Sequence, residues 1–270
     1  MALFKTTRGN SISYTVQGKG LPVLLLHGFG EDHTIFNQLA ESIHQNASLI
    51  IPDIPGSGAS ELIDPTQPGI DHLASDFWEL VASLSVTAPI VIIGHSMGGY
   101  IGLAMAEQKP GAIKALGLFH STAYADSPEK VEARTKSIAF IKEHGPALFL
   151  KQTTPNLFSV GFTQNNASFI TGFVEENSNF SSEALVYYYN SMINRPNRTA
   201  ILKSADYPIL MIIGKHDKAV PYVDGLEQSY LAKETHVLIL ENTAHMGMFE
   251  EPQKVITFVK TFLQNIEIQG

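Results

Sequence analysis

Continuous apolar runs recur along the chain at intervals that suit the strands of a sheet. They lack the alternation of a half-exposed strand, which is typical of a mostly parallel sheet covered by helices on both faces. The runs are Pro22–Leu26, Leu49–Ile51, Ile90–Ile93, Ala115–Phe119, Ile209–Ile213 and Val237–Leu240. Ahead of them, Ser11–Val16 alternates with period two and is followed by Gly18-Lys19-Gly20, which predicts a β-hairpin.

Helix-length segments separate several of these runs. Between Asp71 and Leu84, apolar residues fall on one face at helical spacing. Tyr100–Gln108 and Val255–Leu263 also predict helices. The alternation of strands and helices predicts an α/β fold, with a mostly parallel central sheet flanked by helices.

The interval from Thr122 to Ala205 breaks this alternation. It contains no strand-like run, yet it is too long for a bare loop, and Pro128–His144 and Ser181–Ile193 have helical patterns. We therefore expect a core formed by residues 1–121 and 206–270, with residues 122–205 inserted as a mainly helical lid. The interval holds 11 of the 24 Phe and Tyr residues of the chain. These aromatic residues suit either a small core of the insertion itself or the roof of an apolar pocket.

Composition and charge exclude several functions. The 270 residues suffice for one large domain, and 44% hydrophobic with 16% charged residues indicates a folded chain. A net charge of −8 argues against a nucleic-acid partner. The absence of cysteine excludes disulfides, thiolate catalysis and cysteine metal sites. No apolar run is long enough to cross a bilayer, and the N-terminus lacks the layout of a secretory signal, so we expect a cytoplasmic protein without a membrane partner.

The strongest chemical signal is Gly94-His95-Ser96-Met97-Gly98-Gly99, which matches the pattern G-x-S-x-G. It lies directly after a buried strand and directly before a helix. A sharp turn in that context exposes the serine hydroxyl above the sheet, and the flanking glycines keep side chains out of the crowded turn. The helix behind Ser96 adds a dipole that favours a developing oxyanion. The sequence therefore predicts Ser96 as a nucleophile.

Here the chain resembles the α/β-hydrolase superfamily over nearly its whole length. His27-Gly28-Phe29-Gly30 looks like the His-Gly oxyanion loop of that family, and Asp53–Ser60 resembles its D-x-x-G-x-G-x-S turn. The latter contains Gly56 and Gly58, but Glu61 stands where a dinucleotide-binding fingerprint needs its third glycine. We interpret Asp53 mainly as a structural residue whose side chain binds nearby backbone amides.

The resemblance also implies the partners of Ser96. The chain order in the family is serine, acid, histidine, which points to His245, just after the last predicted strand, as the base. Asp217 lies in Gly214–Pro221, which matches the family turn G-x-x-D-x-x-V-P, and would orient the histidine. The amides of Phe29 and Met97 would form the oxyanion hole. The remaining histidines are assigned packing or supporting roles; those singled out are His27, His95, His120 and His216.

The mechanism that this arrangement implies is two-step acyl transfer through Ser96. It needs no organic cofactor and no metal ion. The aromatic insertion, with Phe29, Met97, Met246 and Met248 as candidate wall residues, favours a small-molecule ester with an apolar group of small or medium size.

Other functions remain open at this point. Related proteins with the same triad include lactonases, perhydrolases and C–C bond hydrolases, and a few members of the superfamily serve as small-molecule receptors. An intact triad favours an enzyme over a receptor, because function depends on the site rather than on the fold. The sequence leaves the choice between a monomer and a homodimer open.

Overall fold

The computed structural model describes residues 1–177 and 179–268. Its centre is an eight-stranded sheet in the order β1-β2-β4-β3-β5-β6-β7-β8. The six strands from β3 to β8 are parallel, whereas β2 pairs antiparallel with both β1 and β4. The strands are β1 Ala2–Lys5, β2 Ser11–Gln17, β3 Leu21–Leu26, β4 Ala47–Pro52, β5 Ile90–His95, β6 Ile113–Phe119, β7 Ile209–Gly214 and β8 Thr235–Leu240.

The predicted mostly parallel sheet is confirmed, and side chains of its strands alternate between two hydrophobic clusters. In β3, Leu24 and Leu26 belong to one cluster, and Val23 and Leu25 to the other. Strands β5 and β7 divide their side chains between the same two clusters. Continuous apolar runs arise because both faces of the sheet are covered.

Helices cover both faces of the sheet. They are α1 Asn37–Ile43, α2 Ile70–Ser83, α3 Met97–Gln108, α4 Pro128–His144, α5 Pro146–Thr153, α6 Val160–Asn165, α7 Ala167–Glu176, α8 Ser182–Ile193, α9 Thr199–Ser204, α10 Tyr222–Gln228, α11 Gly247–Glu250 and α12 Pro252–Ile268. Short 3-10 helices occur at His33–Phe36, Pro110–Ala112 and Thr154–Leu157. In the described part of the chain, no helix is long and apolar enough to cross a membrane.

Residues 122–205 form what we call the inserted helical region. Helices α4 to α9 lie there, between β6 and β7, and the described residues of this interval contain no strand. Helix α4 has the predicted bounds because Ser127 caps it by accepting a hydrogen bond from the amide of Lys130, and Gly145 ends it with a positive φ of 85°. Ser181 caps α8 in the same way, through the amide of Ala184.

The predicted hairpin at Gly18–Gly20 is wrong. Strand β2 pairs with β1 and β4, and β4 lies between β2 and β3 in the sheet, so this turn joins strands that are not neighbours. The hairpin that does form joins β1 to β2. Strand β1 was not predicted, because it has only four residues and lies at the exposed edge of the sheet.

Candidate active site

Ser96 lies in a strained turn between β5 and α3. Its φ of 50° and ψ of −116° are unusual for a residue with a side chain. The turn closes tightly around it, since a Cβ atom on Gly94 would lie 2.2 Å from the carbonyl carbon of Gly98. The amide of Ser96 donates to the carbonyl of Phe119, and its carbonyl accepts from Ser121 Oγ at 2.7 Å. These contacts hold Ser96, half-buried, at the N-terminus of α3.

The loop after β3 packs directly against this turn. A Cβ atom on Gly28 would lie 2.8 Å from Glu31 Oε2 and 3.1 Å from Ser96 Cβ, so a larger residue would force these neighbours to shift. The Gly28 amide donates to Glu31 Oε2 at 2.7 Å. By contrast, no acceptor among the described residues pairs with the amide of Phe29 or that of Met97. The loop after β3 and the start of α3 thus each present one unengaged amide donor beside Ser96.

Asp217 and His245 form a buried pair at the carboxyl ends of β7 and β8. Asp217 Oδ2 lies 2.7 Å from His245 Nδ1, with side-chain exposures of 1% and 4%. The other carboxylate oxygen, Oδ1, accepts the amides of Ala219 at 2.8 Å and Val220 at 2.9 Å. Burial alone would raise the pKa of Asp217, but attraction to His245 and His120 holds it well below its usual value. The carboxylate is therefore ionised and fixed.

A second histidine faces the same carboxylate. His120 Nδ1 lies 3.5 Å from Asp217 Oδ2, a distance too long for a good hydrogen bond. Its Nε2 accepts from the amide of Gly247 at 3.2 Å, which places the ring proton on Nδ1. Burial lowers the pKa of His120 to about 4, so the ring is neutral at neutral pH. His120 has a positive φ of 47°, a second strained backbone position beside the site.

The loop that carries His245 is held from two sides. Its amide donates to the carbonyl of Leu157 in the inserted helical region at 2.8 Å. Its carbonyl oxygen lies 3.0 Å from Nε2 of His95, the residue before Ser96. The rings of His95 and His245 are 4.9 Å apart between centroids. In the described residues, no hydrogen bond joins Ser96 Oγ to the His245 ring, although their loops are in contact.

Two groups of side chains have the residue types of a metal site. His120, Asp217 and His245 offer ligand atoms within 4.8 Å of one another, as do Asp32, His33 and Asp53. In the first group, a metal ion would have to replace the hydrogen bond between Asp217 and His245. In the second group, Asp32 accepts from Thr34, and Asp53 accepts from the ring of His33 and from two amides. Protein groups therefore already contact both carboxylate oxygens of Asp217 and of Asp53.

The structure also locates the other residues that the sequence singled out. Asp53 accepts hydrogen bonds from the amides of His33 and Ala59, as predicted for a structural turn residue. His27 supports the same turn, because its Nε2 accepts from the amide of Ile54. His216 is exposed and has no ring contact with the site among the described residues.

The candidate wall residues do not share one cluster. Met97 lies in the cluster that contains Phe149 and Tyr188, and Phe29 packs against it. Met246 and Met248 belong to the cluster on the other face of the sheet. These four candidate wall residues therefore divide between the two clusters, and their role as pocket walls stays a prediction.

Sequence reasoning gave Glu31 no role and His120 only a supporting one. Glu31 reaches His95 across 64 positions, and His120 reaches Asp217 across nearly a hundred. Neither contact follows a periodic pattern, so only the fold reveals it. The one local signal is the position of His120 at the end of β6, at the same edge of the sheet as Asp217 and His245.

Comparisons with known proteins agree with this architecture. The model of the Alpha/beta hydrolase family matches residues 23–258. The chain is 26% identical to a thermophilic esterase from Thermogutta terrifontis, solved with malate bound, with a TM-score of 0.92 and coverage of 98% of this chain and 99% of that one. Lipase 1 of Psychrobacter immobilis is 25% identical, over 97% of this chain and 83% of the lipase. An enol-lactonase from Burkholderia xenovorans LB400 shares 19% identity and a TM-score of 0.88, over 97% and 100% of the two chains, a likeness that shows the fold alone.

Proposed function

The chain belongs to the alpha/beta hydrolase family, and we propose that it is a serine hydrolase that cleaves carboxylic esters with small or medium apolar groups. The observation that carries this proposal is the position of Ser96. It occupies a strained turn at a helix N-terminus, beside two unengaged amides and next to the loop of a buried Asp–His pair. A serine in a merely structural turn would need neither the strain nor this pair.

In the proposed reaction, Ser96 Oγ attacks the ester carbonyl while His245 Nε2 accepts its proton. Asp217 fixes the proton of His245 on Nδ1 and stabilises the imidazolium that forms. The oxyanion accepts hydrogen bonds from the amides of Phe29 and Met97. His245 then donates the proton to the leaving alcohol, and water hydrolyses the acyl-enzyme by the same steps. The bond between Ser96 and His245 forms when substrate binds, since such bonds often tighten only in the complex.

Aromatic side chains of the inserted helical region support the choice of an apolar substrate. The Phe29 ring stacks on Tyr189 with centroids 4.3 Å apart, and it meets Phe149 and Tyr188 edge-on at 6.3 Å and 6.2 Å. Because Phe29 carries one of the two proposed oxyanion amides, these rings lie next to the reacting carbonyl. We therefore propose that the inserted helical region acts as a lid whose aromatic residues bound the acyl pocket.

The test is hydrolysis of nitrophenyl esters of increasing acyl length. The wild type should turn over many times, and Ser96→Ala should lose activity by about 10,000-fold or more. Ser204→Ala, an exposed serine at the end of α9, is the matched control and should keep full activity. A fluorophosphonate should transfer its phosphonyl group, with loss of fluoride, to the wild type and to the control but not to Ser96→Ala, and mass spectrometry would detect the added mass.

Two results would contradict the proposal. A Ser96→Ala variant with wild-type turnover would show that another residue is the nucleophile. A wild type that reacts once with the ester and never turns over would favour a binding protein on the same fold.

A further inference from the structure

Glu31 and His95 form a buried contact that the proposed reaction does not use. Their side chains are 3% and 0% exposed, and Glu31 Oε2 lies 2.9 Å from His95 Nδ1. The same oxygen accepts the amide of Gly28 at 2.7 Å. On the other side of the ring, His95 Nε2 lies 3.0 Å from the carbonyl oxygen of His245. Three short contacts therefore form a continuous series from the Gly28 amide through Glu31 and His95 to the carbonyl of His245.

The partners of His95 determine its protonation. An ionised carboxylate and a backbone carbonyl are both acceptors, and neither can donate a proton to the ring. Each ring nitrogen must therefore carry a hydrogen for both contacts to be hydrogen bonds. A neutral ring would leave a buried acceptor without a partner, which costs free energy. With Glu31 ionised, as its lowered pKa indicates, the two contacts require an imidazolium, whose charge the carboxylate balances.

The pair connects the three segments that carry the proposed chemistry. Gly28 precedes Phe29 in the oxyanion loop, His95 precedes Ser96, and His245 is the base. We propose that Glu31 and His95 are positioning residues, a carboxylate–imidazolium pair that holds the oxyanion loop, the nucleophile turn and the base loop in register. Their positioning role rests on the proposed function, although their ionisation does not.

The surroundings of His95 give this pair a pH dependence. Burial would lower the pKa of His95, but the charge of Glu31, its hydrogen bond and the carbonyl of His245 together raise it above 6.5. Burial would raise the pKa of Glu31, and His95 lowers it. The other titratable groups that act on the pair are His27, His120, Asp217 and His245.

The sign of the dependence follows from the raised pKa of His95. While Glu31 stays ionised, the pair is complete below 6.5 and loses one hydrogen bond as the pH rises through the raised pKa of His95. Activity should therefore fall on the alkaline side of its profile.

The first test is independent of activity. Nitrogen-15 NMR of ring-labelled protein, recorded from about pH 6 to about pH 9, distinguishes imidazolium from imidazole. His33→Gln serves as the background, because it removes the other histidine whose pKa a carboxylate raises. We expect one ring with both nitrogens protonated at neutral pH, and this signal should vanish in Glu31→Gln. The amide signals of Phe29 and Met246 should shift with the same midpoint.

Ser96→Ala should keep this imidazolium signal, so a failure of the proposed function and a failure of the pair are distinguishable. If no doubly protonated ring exists at neutral pH in the folded protein, the proposed pair is wrong. The spectrum of the His33→Gln background alone decides this, even where Glu31→Gln fails to fold.

The second test measures positioning through kinetics. Glu31→Gln keeps the size of the side chain and one acceptor but removes the charge. It should lower kcat by about 10- to 100-fold with little change in KM, and it should move the alkaline limb of the pH profile to lower pH. His33→Gln, which breaks a 2.7 Å contact with Asp53 outside the site, should change neither property. A folded Glu31→Gln variant with wild-type kcat and an unmoved alkaline limb would overturn the positioning role.

Discussion

Two aspartates in this molecule hold a histidine in nearly the same way, in two different regions. Asp217 Oδ2 lies 2.7 Å from His245 Nδ1, and Asp53 Oδ1 lies 2.7 Å from His33 Nδ1. Each carboxylate also accepts two backbone amides. Local geometry of the pair therefore does not separate a candidate catalytic group from a structural one.

What differs is where each pair lies. The loop of His245 contacts His95, the residue before Ser96, and the ring is 4% exposed. His33 is 23% exposed and has no described contact with Ser96. The turn after Asp53 instead supports the inserted helical region, because Tyr188 donates its hydroxyl to the carbonyl of Pro55 at 2.8 Å. Placement beside the proposed nucleophile, rather than the pair itself, therefore distinguishes the proposed catalytic pair from the structural one.

The sharpest test of this comparison is the same substitution at both aspartates. Asp217→Asn should lower kcat by about 10,000-fold, because an amide allows the wrong tautomer of His245 and no longer balances the imidazolium. The measurement is steady-state hydrolysis of a nitrophenyl ester.

Asp53→Asn is the matched control for that substitution. It should keep kcat close to the wild-type value while reducing the free energy of unfolding by about 1–3 kcal/mol, through weaker hydrogen bonds to the amides of His33 and Ala59. Equal losses of kcat in the two variants would remove the distinction between the pairs.

The second prediction concerns His120, whose Nδ1 lies 3.5 Å from Asp217 Oδ2. His120→Asn tolerates the positive φ but removes the ring that faces Asp217. We expect kcat to fall about tenfold, equivalent to about 1.4 kcal/mol, because the carboxylate loses an oriented dipole. The effect should appear in kcat rather than KM. An unchanged kcat would show that His245 and the two amides fix Asp217 without help.

The fold was largely predictable because its signals are local. Apolar runs without alternation gave the buried strands, and Ser127 and Gly145 bound helix α4 at both ends. The resemblance to the alpha/beta hydrolase family is confirmed by the family model over residues 23–258. The strand order was less accessible: the turn at Gly18–Gly20 has the composition of a hairpin, yet β4 inserts between β2 and β3.

The candidate site likewise has residues that the sequence could place and contacts that it could not. Ser96 and Asp217 stand in motifs, and the family resemblance pointed to His245 by its position after the last strand. All three follow strands, so they could be placed together at one edge of the sheet. The contact between Glu31 and His95 has no such motif. The sequence also did not show that Met97 and Met246 pack on opposite faces of the sheet. These contacts depend on how separate segments pack, and a single sequence carries no local pattern for them.

The third prediction tests the structural role of the turn after Asp53. Tyr188→Phe removes one buried hydroxyl that donates to Pro55 and keeps the ring against Phe29. The free energy of unfolding in urea should fall by about 1 kcal/mol, with kcat nearly unchanged. A large loss of kcat would show that this turn also controls the chemistry, which would weaken the comparison.

The smallest expected effect is a pH-dependent one at His33. Its hydrogen bond to Asp53 raises the pKa of His33, so the pair adds stability that is fully present below 6.5 and is lost as the pH rises through the raised value. Because the ring is partly solvated, the contribution should not exceed about 1 kcal/mol. His33→Gln should therefore be less stable than the wild type at about pH 6, and the difference should shrink by about pH 9. Urea unfolding at both pH values measures it. If the difference in free energy of unfolding does not vary with pH, His33 supports the turn through packing and its backbone amide. The likeness between this pair and the Asp217 pair would then be one of geometry and not of electrostatics.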